Sequence, residues 1–322
     1  MMNIAKPNKQ ERRIKRGANA VAPAPLILSK RMSVEQSFQI IVFNCLGQIE
    51  ANAANMIEKY DVESLHQMRV GLRRLRSATN LFDTILTLPD FLQEELNWLG
   101  TQLGAARDWD VLTTSTLPTL IGAYTGTPGD KKKLQQVMLA ALDVAYEKHQ
   151  TVLVTIRSKR YARLIAYGNT WVDGCEWRNG MPKKEKSRLT RRIKKFAREL
   201  IRRKQRRLRK RLRQWQESDQ QTLHRLRIVV KKLRYAATFF SSLTTSKKIK
   251  PYLLELSTIQ EELGRKNDRE IANQLLTQLQ AGDGEMAGNV HFTRACMASM
   301  PGIETKETRK LLKNSVQKRR FI

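Results

Sequence analysis

His66-Gln67-Met68-Arg69-Val70-Gly71-Leu72-Arg73-Arg74-Leu75-Arg76 is answered further along the chain by His224-Arg225-Leu226-Arg227-Ile228-Val229-Val230-Lys231-Lys232-Leu233-Arg234. With the histidines aligned, Arg69 matches Arg227, Arg73 matches Lys231, Arg74 matches Lys232, and Arg76 matches Arg234. Neither stretch contains proline, and both are rich in Leu, Arg and Lys, so both predict helix. On a helix, positions i, i+3, i+7 and i+10 share one face. His66, Arg69, Arg73 and Arg76 therefore point one way, as do His224, Arg227, Lys231 and Arg234. Leu65, Met68, Leu72 and Leu75 fall opposite, as do Leu223, Leu226, Val230 and Leu233. Each copy is an amphipathic helix with an apolar back and a cationic front.

A single basic helix face is ordinarily a solvated surface. Such surfaces usually mix signs to gain i,i+4 pairs, and these two faces do not. Solvation does not require the same pattern twice. Two like-charged faces repel unless an anion lies between them.

The whole chain carries the same bias. Its 322 residues include 60 Lys and Arg against 30 Asp and Glu, a formal net charge of +30. That excess calls for a polyanionic partner: nucleic acid, a phosphate polymer or an anionic membrane surface. Hydrophobic residues make up 41%, enough for a core. Cys45, Cys175 and Cys296 are scattered and odd in number. They suggest neither a disulfide framework nor a metal site, and they fit a reducing, cytoplasmic setting. The apolar run Phe38 to Leu46 is too short to span a bilayer. Residues 1–32 read as a disordered basic arm without a signal-peptide core.

Helical patterns fill the remainder. A long helix is expected over 33–60, capped by Ser33, with Phe38, Ile41, Val42, Cys45 and Ile49 as its stripe. After a break at 61–65, the first His-Arg helix runs to about Leu86, and Pro89 and Asp90 open the next. Then comes Leu103-Gly104-Ala105-Ala106-Arg107-Asp108-Trp109-Asp110-Val111, echoed by Leu263-Gly264-Arg265-Lys266-Asn267-Asp268-Arg269-Glu270-Ile271. Gly104 suits a helix C-terminus and Asp108 the first turn of a following helix. Residues 118–129 read as a loop, with Asp130 capping a helix whose apolar stripe has His149 beside it as a core histidine. The divide between halves falls at 174–182, and Pro251 opens a helix after a Lys-rich turn. Residues 183–213 hold about half the net charge of +30 yet keep an apolar stripe at Leu189, Ile193, Phe196 and Leu200. They predict a packed helix rather than a tail. The fold class is all-α: two pseudo-symmetric bundles, 33–178 and 183–320, from an internal duplication, together one domain.

Catalytic groupings are missing from the sequence. It contains no Gly-rich phosphate loop ending in Lys-Ser or Lys-Thr, no Gly-x-Ser-x-Gly and no His-Glu-x-x-His. Asp108 and Asp110 form one carboxylate pair that could hold Mg²⁺, but orienting Arg73 and Arg76 is the simpler role. His66 and His224, set among arginines, suit a neutral imidazole donating to a phosphate oxygen. His291 has no evident role. Nucleic acid remains a rival on charge, but aromatic content is only 7%, and the cationic fronts lack stacking platforms.

The paired His-x-x-Arg-x-x-x-Arg-Arg-Leu-Arg helices, with Leu-Gly-x-x-Arg-Asp-x-Asp-Val after the first, resemble the conserved histidine α-helical domain, CHAD. The resemblance covers roughly residues 33–320. It implies a pair of four-helix bundles whose basic faces line a groove or pore binding inorganic polyphosphate, in some members on polyphosphate granules. It places His66, Arg69, Arg73, Arg74, Arg76, Arg107, His224, Arg227, Lys231, Lys232 and Arg234 at the phosphate. Arg160, Arg163, Lys195, Arg198 and Arg202 are further candidates. Lys231 and Lys232 replace the Arg-Arg of the first copy, and Asn267 stands where the first half has Arg107. The Glu-x-Glu-x-Lys mark of the CYTH triphosphatase domain, which often precedes CHAD, is missing. The expectation is a stand-alone polyphosphate-binding protein with no metal, no cofactor and no catalysis of its own. The alternatives are an RNA-binding protein, a metal-dependent polyphosphate-processing enzyme, and a granule coat that binds other proteins.

Overall fold

The computed structural model describes residues 20–213, 220–280 and 284–300, apart from the side chains of 220–224, 265 and 266. The arm at 1–19, Trp215, the break at Gly282 and the extension over 301–320 lie outside these residues.

Ser33 caps helix α1 (Val34–Glu58) through a capping box, its hydroxyl accepting from the Gln36 N–H while the Gln36 side chain accepts from the Ser33 N–H. Asp61 caps α2 (Val62–Phe82), the first His-Arg helix, by accepting from the Ser64 N–H. Helix α3 (Asp90–Val111) passes through a π turn, Leu112–Thr116, into α4 (Leu117–Ala123). Then come α5 (Pro128–Arg157) and α6 (Lys159–Asp173). The second half contains α7 (Lys183–Leu189), α8 (Ile193–Arg213), α9 (Gln220–Phe239), α10 (Ser246–Leu279) and α11 (Gly284–Ser299). No strand occurs among the described residues, and one isolated bridge joins Ser33 to Arg192.

Several local expectations are corrected. Gly104 does not end a helix, because α3 runs unbroken to Val111 with Leu103 and Ala106 buried on either side. The stretch 118–129 is not all loop: α4 continues directly from the π turn, with Pro118 as its second residue. Thr127, not Asp130, caps α5, accepting from the Asp130 N–H. A break at Ser158 separates α5 from α6, and α2 stops at Phe82, short of Leu86. Pro251 lies inside α10, which begins at Ser246.

The two halves share their cores. One core joins Phe38, Leu72 and Phe82 from the first half to Phe196, Leu233 and Phe240 from the second. The other joins Trp109, Leu134 and Ala141 to Leu276, Val290 and Met297. Each core therefore draws on both halves.

Residues 20–32 also depart from expectation. They form an ordered strap rather than a disordered arm. Asn52 clasps the backbone of Val21 from both sides, at 2.9 Å each, and Asn44 donates to the Ala24 carbonyl. Leu28 is buried, and its N–H donates to the Ser242 hydroxyl at 2.8 Å. Polar side chains of α1 thus satisfy a backbone that has no sheet to join.

Candidate functional site

Helices α2 and α9 pack against one another, bringing the two cationic fronts into one space. Lys231 reports the meeting. Burial, then Arg73, Arg227, Arg69 and Arg234, hold its ammonium down to about 8. Two of those arginines come from each copy of the motif. His66 is also held below its ordinary value, by burial and then by Arg107, Arg73 and Arg69, with Glu63 opposing. Its imidazole is therefore neutral at pH 7.

The first copy's arginines are seated on α3. Arg69 lies 3.8 Å from Asp108, and its guanidinium covers Gly104, where a Cβ would stand 2.8 Å from Nη1. Arg76 donates to the Leu96 carbonyl and to Asn97 Oδ1 at 3.0 Å. It covers Gly100, where a Cβ would stand 2.5 Å from Nη2. Gly100 and Gly104 are one helical turn apart, so α3 presents a bare backbone on which both guanidinium groups rest. The Nε atoms of Arg73 and Arg76 are buried without a partner among the described residues. In the second copy, Arg234 Nε donates to Gln260 Oε1 at 2.8 Å.

Arg107 belongs to the same cluster, acting on His66, Arg69 and Asp108. Asp108 does not orient Arg73 or Arg76. Its carboxyl is raised by burial, with Arg69 opposing and Asp268 of the other half adding to the rise. Asp110 points elsewhere. It is 1% exposed and accepts from His149 Nε2 at 2.6 Å, while Tyr60 stacks on the His149 ring at 4.1 Å. His149 is a satisfied histidine, but its partner is a carboxylate rather than the apolar stripe. The two aspartates have divergent partners, and no group of three His, Cys, Asp or Glu suited to a metal occurs among the described residues.

Two candidates leave the cationic front. Arg74 is 5% exposed and turned into the α1–α2 interface, donating to Gln48 Oε1 and Asn44 Oδ1. It props the asparagine that holds the strap. Lys232 acts on Lys204 of α8, whose ammonium burial and then Lys232 lower to about 8. The side chain of His224 lies outside the described residues, though its backbone is on α9. Arg160 is neutralised, donating to both oxygens of Glu95 at 2.7 and 3.1 Å and lying over Trp98. Arg163 lies over Phe91. Lys195, Arg198 and Arg202 line a different cleft.

The seats at Gly100 and Gly104, Asn97 and Gln260 escaped the sequence reading. The repeated Leu-Gly pair marked Gly104 but suggested a cap.

The CHAD domain family model matches residues 40–277. The crystal structure of the CHAD domain from the plant Ricinus communis is 33% identical, with a TM-score of 0.82, covering 95% of this chain and 99% of that one. The chain belongs to the CHAD domain family. PptA from Streptomyces chartreusis shares the fold, with a TM-score of 0.61 at 15% identity, over 89% of this chain and 100% of that one. Among curated proteins, none matches this chain by sequence. No described helix is long and apolar enough to cross a membrane.

Proposed function

We propose that the chain binds inorganic polyphosphate in a groove between α2 and α9, without chemistry of its own. The observation that carries the reading is Lys231, half-buried among four arginines, two from each motif copy. Such a cluster is costly when empty and is relieved by a chain of negative charge. Arg69, Arg73, Arg76, Arg227 and Arg234 offer planar forks to phosphate oxygens, Lys231 a movable point charge, and His66 a neutral donor. Arg107 adds to the same field. The membership of the family supports the ligand. We place the protein in the cytoplasm, at polyphosphate granules where these form.

The absence of chemistry is supported by the divergence of Asp108, beside Arg69, from Asp110, held by His149; Asp268 of the other half does approach Asp108, but no third His, Cys, Asp or Glu joins that pair among the described residues. RNA is the second reading, favoured by charge alone. A competition titration separates them. Labelled polyphosphate is held by the protein at about 150 mM salt, and unlabelled polyphosphate, single-stranded RNA and duplex DNA compete at equal phosphate concentration. Polyphosphate should displace the probe far better than either nucleic acid, and binding of each polyanion should weaken steeply as salt rises. Equal competition by the three would refute selectivity for bare phosphate.

A further inference from the structure

We infer that the chain carries a second oligophosphate site, outside the groove, in a cleft between the strap and the start of α8. The cleft encloses about 560 Å³. Lys30 and Arg31 line it from the strap, and Arg192, Lys195, Arg198 and Arg202 from α8 and the residue before it. None of these residues belongs to the α2–α9 cluster.

Three observations assign it an anion. The first is the charge balance. Glu199 is the one carboxylate lining the cleft, and Arg191 already holds it at 3.1 Å. The second is the position on α8. Its first turn contains no acid and carries Lys194 and Lys195, with Arg192 just ahead. Cations at a helix N-terminus oppose the macrodipole, whereas an anion there is favoured. Helix α1 provides the contrast: its N-terminus lies beside that of α8 through the Ser33–Arg192 bridge, and it has a capping box and Glu35. The third is polar demand. The Nε atoms of Arg198 and Arg202 are buried and have no partner among the described residues.

The chemistry of the ligand follows from the lining. Lys195, Arg198 and Arg202 sit at i, i+3 and i+7, a row about 10 Å long on one helix face. A row suits successive phosphates of a linear chain better than one compact anion. No aromatic side chain lines the cleft, so nothing stacks on a base. The site itself stands apart from the groove reading. Its consequence, a bivalent protein that ties one phosphate chain to another, rests on both.

The test is a calorimetric titration of the full chain with tripolyphosphate, at a salt concentration of about 50 mM to favour phosphate contacts. The wild type should take up about two molecules per chain, one in each site. Lys195→Ala with Arg198→Ala and Arg202→Ala should leave one, and Arg73→Glu with Lys231→Glu should also leave one. The combined variant should bind none. Unchanged stoichiometry in the triple alanine variant overturns the second site. Failure of the groove reading looks different: the Arg73/Lys231 variant would then keep the wild-type stoichiometry. If circular dichroism shows the triple variant misfolded, Lys30→Ala with Arg31→Ala tests the same cleft from the strap. That pair must weaken one of the two sites and leave the other unchanged, or the assignment falls.

Discussion

The two His-Arg helices carry one charge pattern and hold it in two ways. In the first, Arg69 and Arg76 lie on the bare backbone of α3 at Gly104 and Gly100, fixed by Asp108, Asn97 and the Leu96 carbonyl. In the second, a glutamine side chain, Gln260, holds Arg234, and a Cβ at Gly264 would meet nothing within 4 Å. Lysine replaces arginine at position 231. The first copy thus presents planar forks already in position, which reduces the entropy lost on binding. The second supplies a flexible ammonium whose charge responds to its surroundings. A repeated motif need not repeat its supports.

Reversing one charge from each copy should have the largest effect. Arg73→Glu with Lys231→Glu places carboxylates among Arg69, Arg227 and Arg234, so the fold gains partners while the phosphate site is lost. Polyphosphate affinity should fall on the order of 1,000-fold, as expected when two desolvated charge contacts become repulsive. Fluorescence anisotropy with labelled polyphosphate reads it. Helicity by circular dichroism should hold. An affinity within tenfold of the wild type would leave the two copies without a common ligand.

Arg74, beside Arg73, should behave oppositely. Arg74→Ala leaves Gln48 and Asn44 without their donor in a buried interface, a loss of about 2 kcal/mol in stability. Chemical denaturation measures this, and polyphosphate affinity should stay close to wild type. The glycine seats come next. Gly100→Ala with Gly104→Ala should displace both guanidinium groups and weaken binding about tenfold, equivalent to roughly 1.4 kcal/mol. Stability should hardly fall, because an arginine tip can swing away and alanine favours helix by about 1 kcal/mol over glycine. Gly264→Ala should gain the same helix propensity and cost no affinity. If Gly264→Ala weakened binding as much as the first-half pair, the asymmetry of supports would be wrong.

Much of this architecture was legible in the sequence. Ser33 and Gln36 announced their helix start because caps are local chemistry, whereas the stretch 61–65, expected as a break, is helical from Val62 with Asp61 as its cap. The stripe through Leu189, Ile193, Phe196 and Leu200 showed that a strongly basic segment would pack, and all four are buried. The displacement of Arg74 was also legible: it is about 100° around the helix from Arg73. The family motif, which names residues without faces, outweighed that geometry. Other features could not be read. Periodicity shows that Phe82 and Phe196 are buried, but not that they share a core across the halves. Gly104 resembled a cap because local signals do not include Arg69, which reaches it from another helix. The strap depends on Asn44 and Asn52, more than a dozen residues distant, so its own composition suggested disorder.

The smallest effect separates the copies by pH. Burial and four arginines hold Lys231 down at about 8, whereas a guanidinium does not titrate in that range. The free protein loses the Lys231 proton as pH rises through 8. A bound phosphate chain favours the ammonium, so binding in this range takes up a proton. Affinity should fall about fivefold between pH 7 and 9, within the tenfold per unit that one proton permits. Stability moves the other way. An unfolded lysine titrates near 10.4, so between about 8 and 10.4 the unfolded chain binds more protons. The stability cost of Lys231 is therefore complete below that window and is relieved as pH rises through it. Lys204 is lowered to about 8 as well, so the informative comparison is wild type against Lys231→Arg. That variant should flatten the pH dependence of binding and remove only its own part of the stability rise. An unchanged binding slope would mean that the proton is taken up elsewhere and that the second copy grips phosphate as rigidly as the first.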